Sequence, residues 1–165
     1  MCSSDLLNYA ITEYKLDPDY ISKIKNQLDQ LSHPLRIDYL EHDTIPNNSM
    51  VLSAVDQCME TFLHIITETC YWERKCHLTE KTFKPVILKQ PFVLVGCAHN
   101  LEYFKSYGFQ TFDRWWDESY DHIEDPIKRL QAVADIVKYI CSLSVDQLTT
   151  ILHEMQPVLD YNLDR

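Results

Sequence analysis

The sequence predicts an α/β fold in which a parallel sheet carries helices on its faces. Two short β-rich runs, "FLHII" and "PFVLVG", are bounded by polar residues or glycine. That is how strands buried on both faces of a parallel sheet read. Segments with helical spacing, "TEKTFKPVILKQ" and "NLEYFKSYG", alternate with them, and "FQTF" follows as a third strand. The order strand, helix, strand, helix, strand implies right-handed crossovers and a parallel sheet.

Taken in order, residues from Ser3 to about Leu31 place Leu6, Leu7, Ala10, Ile11 and Tyr14, then Tyr20, Ile21, Ile24, Leu28 and Leu31, at helical spacing. "DPDY" separates two helices there, with Asp17 as N-cap and Pro18 at the first helical position. "RIDYLEHDTIPNNS" reads as a short extended piece and a loop turned at Pro46, and a further helix covers Met50 to about Met59. Phe62 to Ile66 form the first strand, with Thr67 and Glu68 at its carboxyl end. Thr79 caps a helix running to Gln90, against which Pro85 stands as an exception because it removes a hydrogen bond. Pro91 to Gly96 form the second strand, and Gly108 ends the next helix as its C′ residue.

The tail is helical. Ile127, Leu130, Val133, Ile136, Val137 and Ile140 make one apolar stripe, and Ser144 caps "SVDQLTTILHEM". At 165 residues the chain fits a single domain that buries roughly 70% of its unfolded surface. Within that domain 1–60 is mainly helical, 61–121 holds the β/α core and 122–165 the C-terminal helices.

Composition narrows the function classes. Apolar residues at 45% and charged residues at 24% fit a globular protein and exclude a fibrous or low-complexity one. No window approaches the ~20 apolar residues of a membrane span, and the N-terminus lacks the pattern of a signal peptide. The predicted location is cytoplasmic, with no membrane partner. A net charge of −10 opposes nucleic-acid phosphates. The six cysteines are scattered, which in a reducing compartment predicts small buried hydrophobes and no disulfides.

Polar residues collect where the strands end, the place at which open α/β sheets bind ligands. Thr67 and Glu68 end one strand, and Gly96 to Asn100 follow the other, His99 standing where a phosphate-contacting or catalytic group belongs. Thr79, Glu80 and Lys81 open the helix between them. A helix N-terminus beside a lysine suits a phosphate, and a nearby carboxylate suits ribose hydroxyls. Taken alone, the Thr79-Glu80-Lys81 triplet reads as a cap with a solvated ion pair; with the Pro91–Gly96 strand behind it, the ligand reading leads.

Other features carry their plainer readings. Asp117, Glu118 and Asp121 read as solvated acids before a cation site. Arg129 pairs with Glu124 or Asp125 on its helix, or reaches a phosphate. Cys70, Cys76 and His77 lack the spacing and fourth ligand of structural zinc, and His64 reads as a core histidine. Trp115 and Trp116 stack on a ligand or pack a helix, and the sequence leaves both open.

The run "TEKTFKPVILKQPFVLVG" resembles the nucleotide-sugar-binding, C-terminal half of GT-B glycosyltransferases, in particular fucosyltransferase-like enzymes with a "TEK" motif. With "LEYFKSYGFQTF", "WWDESYD" and "DPIKRL" it is also similar to a group of uncharacterised phage and marine-microbial proteins. The resemblance covers about Phe62 to Leu143. It implies a Rossmann-like sheet, half of a GT-B fold, with Lys81 on donor phosphate and Glu80 on ribose. The acceptor-binding half is absent or reduced to the first sixty residues.

The expected function is therefore a glycosyltransferase-like domain that binds a nucleotide-sugar donor. Thr79, Glu80, Lys81, Gly96 and Arg129 line the ligand, and Glu68 or His99 is the candidate catalytic group. The nucleotide sugar is substrate, no cofactor is called for, and a divalent cation is compatible with the reading. Two alternatives stand beside it: a non-catalytic phage protein sequestering a nucleotide, and an oligomeric interaction module with a vestigial pocket.

Overall fold

In the computed structural model, residues 17–30 and 55–165 are described. The chain falls into two units, Met1–Ile37 and Asp38–Arg165. The first contributes helix α1, Pro18–Asp29. It starts as its sequence predicts: Asp17 Oδ1 accepts from the Asp19 N–H at 3.0 Å, and Pro18 occupies the first helical position, where a missing N–H costs nothing. The helix expected before it, and the loop around Pro46, lie outside the described residues.

The second unit mixes helix and strand. Helix α2 is Val55–Met59, the described end of the helix expected from Met50. Strand β1, His64–Thr67, and strand β2, Phe92–Val95, pair in parallel with His64 opposite Phe92 and Thr67 opposite Val95. Between them lies α3, Glu80–Ile87, which packs on β1. Parallel strands need such a crossover. Helix α4, Asn100–Ser106, a 3₁₀ turn at Ser119–His122, α5, Pro126–Cys141, and α6, Val145–Asp164, complete the unit.

β2 is the central element, its four residues all buried. Phe92 meets Phe104 and Phe112 edge-on, at ring separations of 5.5 and 5.2 Å. Ile66, Leu94 and Met155 close around them, each at most 1% exposed. β1 corrects its prediction. It runs His64–Thr67 rather than Phe62–Ile66, and only one face is buried: Ile66 is 1% exposed and Ile65 46%. Among the described residues the sheet has two strands, and Ile65 points to the face opposite Ile66.

The third strand is also corrected. Phe109–Phe112 makes no ladder, although its two phenylalanines flank polar residues as a strand's would. Its main chain is taken by side chains. Asn162 accepts from the Gln110 N–H at 2.8 Å and donates to the Gln110 carbonyl at 2.9 Å, while Glu118 Oε1 accepts from the Phe112 N–H at 2.8 Å.

The edge of β2 where such a strand would pair is satisfied in the same way. The carbonyls of Pro91 and Val95 face β1, accepting from the His64 and Glu68 N–H groups, so by alternation those of Leu94 and Gly96 face outward. There the Tyr120 hydroxyl donates to Leu94 and Arg129 Nε donates to Gly96, at 3.1 and 3.0 Å. Buried carbonyls need partners, and side chains supply them in place of a strand.

In α5 the predicted stripe holds at Val133, Ile136 and Ile140, which are buried, and fails in the first turn. Ile127 and Leu130 are 39% and 47% exposed, and Arg129 takes the inward position. Ser144 caps α6 through a reciprocal pair with Gln147, and that helix continues through Pro157 to Asp164. Gly108, at φ 88°, ends α4 as predicted, in a conformation glycine adopts without a steric penalty. Among the described residues no helix is long and apolar enough to cross a membrane.

Candidate functional site

The carboxyl ends of β1 and β2 gather most of the residues singled out by the sequence. β1 ends in Thr67, and the buried carboxylate of the next residue, Glu68, reaches the start of α3. Its Oε1 accepts from the Thr79 N–H at 2.9 Å and the Thr82 hydroxyl at 2.5 Å, and its Oε2 accepts from the Thr79 hydroxyl at 2.8 Å. Thr79 is the N-cap, its hydroxyl accepting from the Lys81 N–H at 3.3 Å. Burial raises the Glu68 pKa, but the hydrogen bonds from Thr82, Thr79 and the Thr69 backbone outweigh it and hold the carboxyl below its ordinary value. Glu68 is thus an ionised capping group with its lone pairs engaged.

The side chains of Glu80 and Lys81 take no part in the cap. Lys81 Nζ donates to the Thr69 hydroxyl at 3.2 Å, at the surface. Among the described residues no carboxylate lies within ion-pair distance of it, and Glu80 makes no side-chain hydrogen bond. The solvated ion pair expected of the triplet does not form there.

The loop after β2 starts the second helix on the same plan. Asp121, 4% exposed, accepts from the Leu101 and Glu102 N–H groups at 2.9 and 3.0 Å. Asp121 therefore caps α4 from outside, and its carbonyl accepts from the His99 N–H at 2.7 Å. His99 sits at φ 66°, a left-handed conformation that costs a non-glycine residue about 1–2 kcal/mol. Its Nδ1 is 2.9 Å from Glu102 Oε2 and its Nε2 3.5 Å from Glu124 Oε1. The Glu102 hydrogen bond, against a small desolvation, raises its pKa.

Gly96 serves by close approach. A Cβ there would lie 2.5 Å from the Asn100 side-chain nitrogen, and Asn100 is buried because its amide clamps the loop before α3. It donates to the His77 carbonyl at 3.2 Å and accepts from the His77 N–H at 3.0 Å.

Arg129 corrects its prediction. It is 3% exposed and pairs with neither carboxylate expected for it. Its donors go to the main-chain carbonyls of Gly96, Ile123, Glu124 and Tyr71, and its guanidinium lies over the Tyr71 ring at 4.7 Å. A buried guanidinium so engaged ties the loop after β1 to the end of β2.

The acidic triplet also separates into structural parts. Asp117 holds Ser119, and Asp121 caps α4. Glu118 accepts from the Thr111 hydroxyl at 2.6 Å, and burial raises its pKa. Trp116 packs on Phe112 in the core, while the Trp115 indole donates to Glu154. Both line a cleft of about 510 Å³ against α5, to which Thr79, Glu80 and Lys81 do not contribute.

The described cysteines are free thiols, with Cys76 and Cys97 sulfurs 3.9 Å apart. Burial, then Cys76, pushes the Cys97 thiol up to about 12. His64 is half-buried, and burial lowers its pKa. Sequence reasoning missed His122, which the Asp121 carbonyl brings beside His99, their rings 5.1 Å apart. No protein-family model, curated protein or solved structure matches the chain.

Proposed function

We propose that this chain is a glycosyltransferase-like domain that binds the diphosphate of a nucleotide sugar at the start of α3. One observation carries the reading. Glu68, Thr79 and Thr82 are consumed by the cap, whereas Glu80 and Lys81, the two residues matching the "TEK" motif, keep their charged ends without an ionic partner among the described residues. They stand beside the carboxyl edge of a parallel β-α-β unit, where ligands of open α/β sheets bind. In this reading Lys81 holds the diphosphate and Glu80 the ribose hydroxyls, in a Rossmann-like half of a GT-B fold.

The same geometry favours binding over turnover. A transferase base must accept a proton from the acceptor. Glu68 spends both its oxygens on threonine donors, which leaves His99 as the candidate base. A chain that holds the nucleotide without transferring its sugar is therefore the second reading.

Thermal shift against nucleoside diphosphates, nucleotide sugars and cyclic nucleotides tests both readings. Concentration-dependent stabilisation by diphosphates, lost in Lys81→Ala and reduced in Glu80→Gln, is the expected outcome. Sugar release or transfer in the stabilised samples then separates enzyme from binder. Equal response of wild type and Lys81→Ala overturns the site.

A further inference from the structure

We propose that His99, Glu102 and His122 form a binding site for a divalent first-row transition ion, with zinc as the reference case. One ligand atom from each lies within 4.8 Å of the other two. Tetrahedral ligands at roughly 2.1 Å from one ion stand about 3.4 Å apart, so side-chain rotations that draw the three atoms together by about an ångström close the set. Imidazole and carboxylate donors suit zinc and its neighbours rather than calcium or magnesium.

The cluster is assembled by the main chain. His99 and His122 come from different segments, and the His99 N–H on the Asp121 carbonyl brings them together. Asp121 is anchored in turn by its carboxylate on the Leu101 and Glu102 N–H groups, which places Glu102 on the first turn of α4. His99 itself holds a left-handed backbone, φ 66°, where the chain turns into α4. Glu124 Oε1, 3.5 Å from His99 Nε2, supplies a further carboxylate at the rim.

Glu102 and His122 are exposed, so an ion reaches the cluster from solvent. Three protein ligands leave a position for water or an outside ligand, the pattern of catalytic rather than structural zinc. The inference stands on these three residues alone and does not depend on nucleotide binding at α3; a His99 that holds the metal no longer serves as the base, which leaves the non-transferring reading of that site.

The test is calorimetric titration of the metal-free, reduced full chain with zinc, repeated with cobalt(II) and followed by visible absorption. One equivalent is expected to bind saturably, with cobalt bands that lack thiolate charge transfer. His99→Ala and His122→Ala are expected to weaken binding at least about tenfold, while His153→Ala, an exposed histidine on α6, leaves it unchanged. Glu102→Gln, an exposed change of nearly equal size, is expected to give the same loss and serves if a histidine variant fails to fold. Absence of saturable binding, unchanged affinity in the variants, or a thiolate band from the Cys76–Cys97 pair overturns the proposal.

Discussion

The starts of α3 and α4 solve one problem twice and then diverge. Each helix begins beside a strand's carboxyl end with a buried carboxylate from another segment at its start: Glu68 accepts from the N–H of the α3 cap residue Thr79, and Asp121 from the Leu101 and Glu102 N–H groups of α4. What they show to solvent is opposite in character. α3 presents Lys81 with no carboxylate in ion-pair reach among the described residues, whereas α4 presents His99 with Glu102 and Glu124 around it and His122 alongside. Both starts thus rest on a buried carboxylate, and the side chains around them differ in charge: a lysine at α3, histidines with carboxylates at α4.

The largest expected effect breaks both starts at once. Arg129 ties Tyr71 to Gly96, so Arg129→Ala leaves several buried carbonyls without donors and is expected to cost about 3–5 kcal/mol, read by urea denaturation. Glu68→Gln acts on α3 alone. It puts an amide donor against threonine donors, for an expected loss of about 2 kcal/mol at pH 7. The sign with pH follows from the lowered Glu68 pKa. The contribution is full above the ordinary carboxylate pKa, about 4.3, and fades as pH falls through the lower folded value. Melting curves of Glu68→Gln and wild type should therefore converge in acid, and a gap that widens there contradicts the cap.

Gly96→Ala sharpens the comparison at its midpoint. It pushes Asn100 off His77 and is expected to cost about 1–3 kcal/mol, with the loop before α3 gaining protease sensitivity. Asp121→Asn keeps one acceptor and loses the other, for about 1 kcal/mol at α4. Its separate signature is a changed His99–His122 geometry, read from histidine chemical shifts.

The sequence was most legible where structure is local. Asp17, Thr79 and Ser144 cap as their type and position predict, Gly108 ends α4, and the strand pair around α3 follows from two apolar runs. It was least legible where a distant side chain replaces a backbone partner. Gln110 looks like strand until Asn162 takes its N–H and carbonyl, and Arg129 looks like a surface ion pair until Gly96 and Tyr71 claim it. In the candidate site, the availability of Glu80 and Lys81 depended on Glu68 filling the cap, a contact across the loop after β1 that spacing does not encode. The pairing of His99 with His122 depended on one carbonyl, that of Asp121.

Lys81→Ala gives the smallest expected change in stability, within about 0.5 kcal/mol, and for that reason it carries the most direct test. Calorimetric titration of wild type and Lys81→Ala with GDP and with UDP asks whether the α3 start binds a nucleoside diphosphate. A diphosphate site at the start of α3 predicts saturable one-to-one binding of at least one of them, weakened at least about tenfold in a variant that melts like wild type. No binding by wild type, or the same affinity in both proteins, would contradict it.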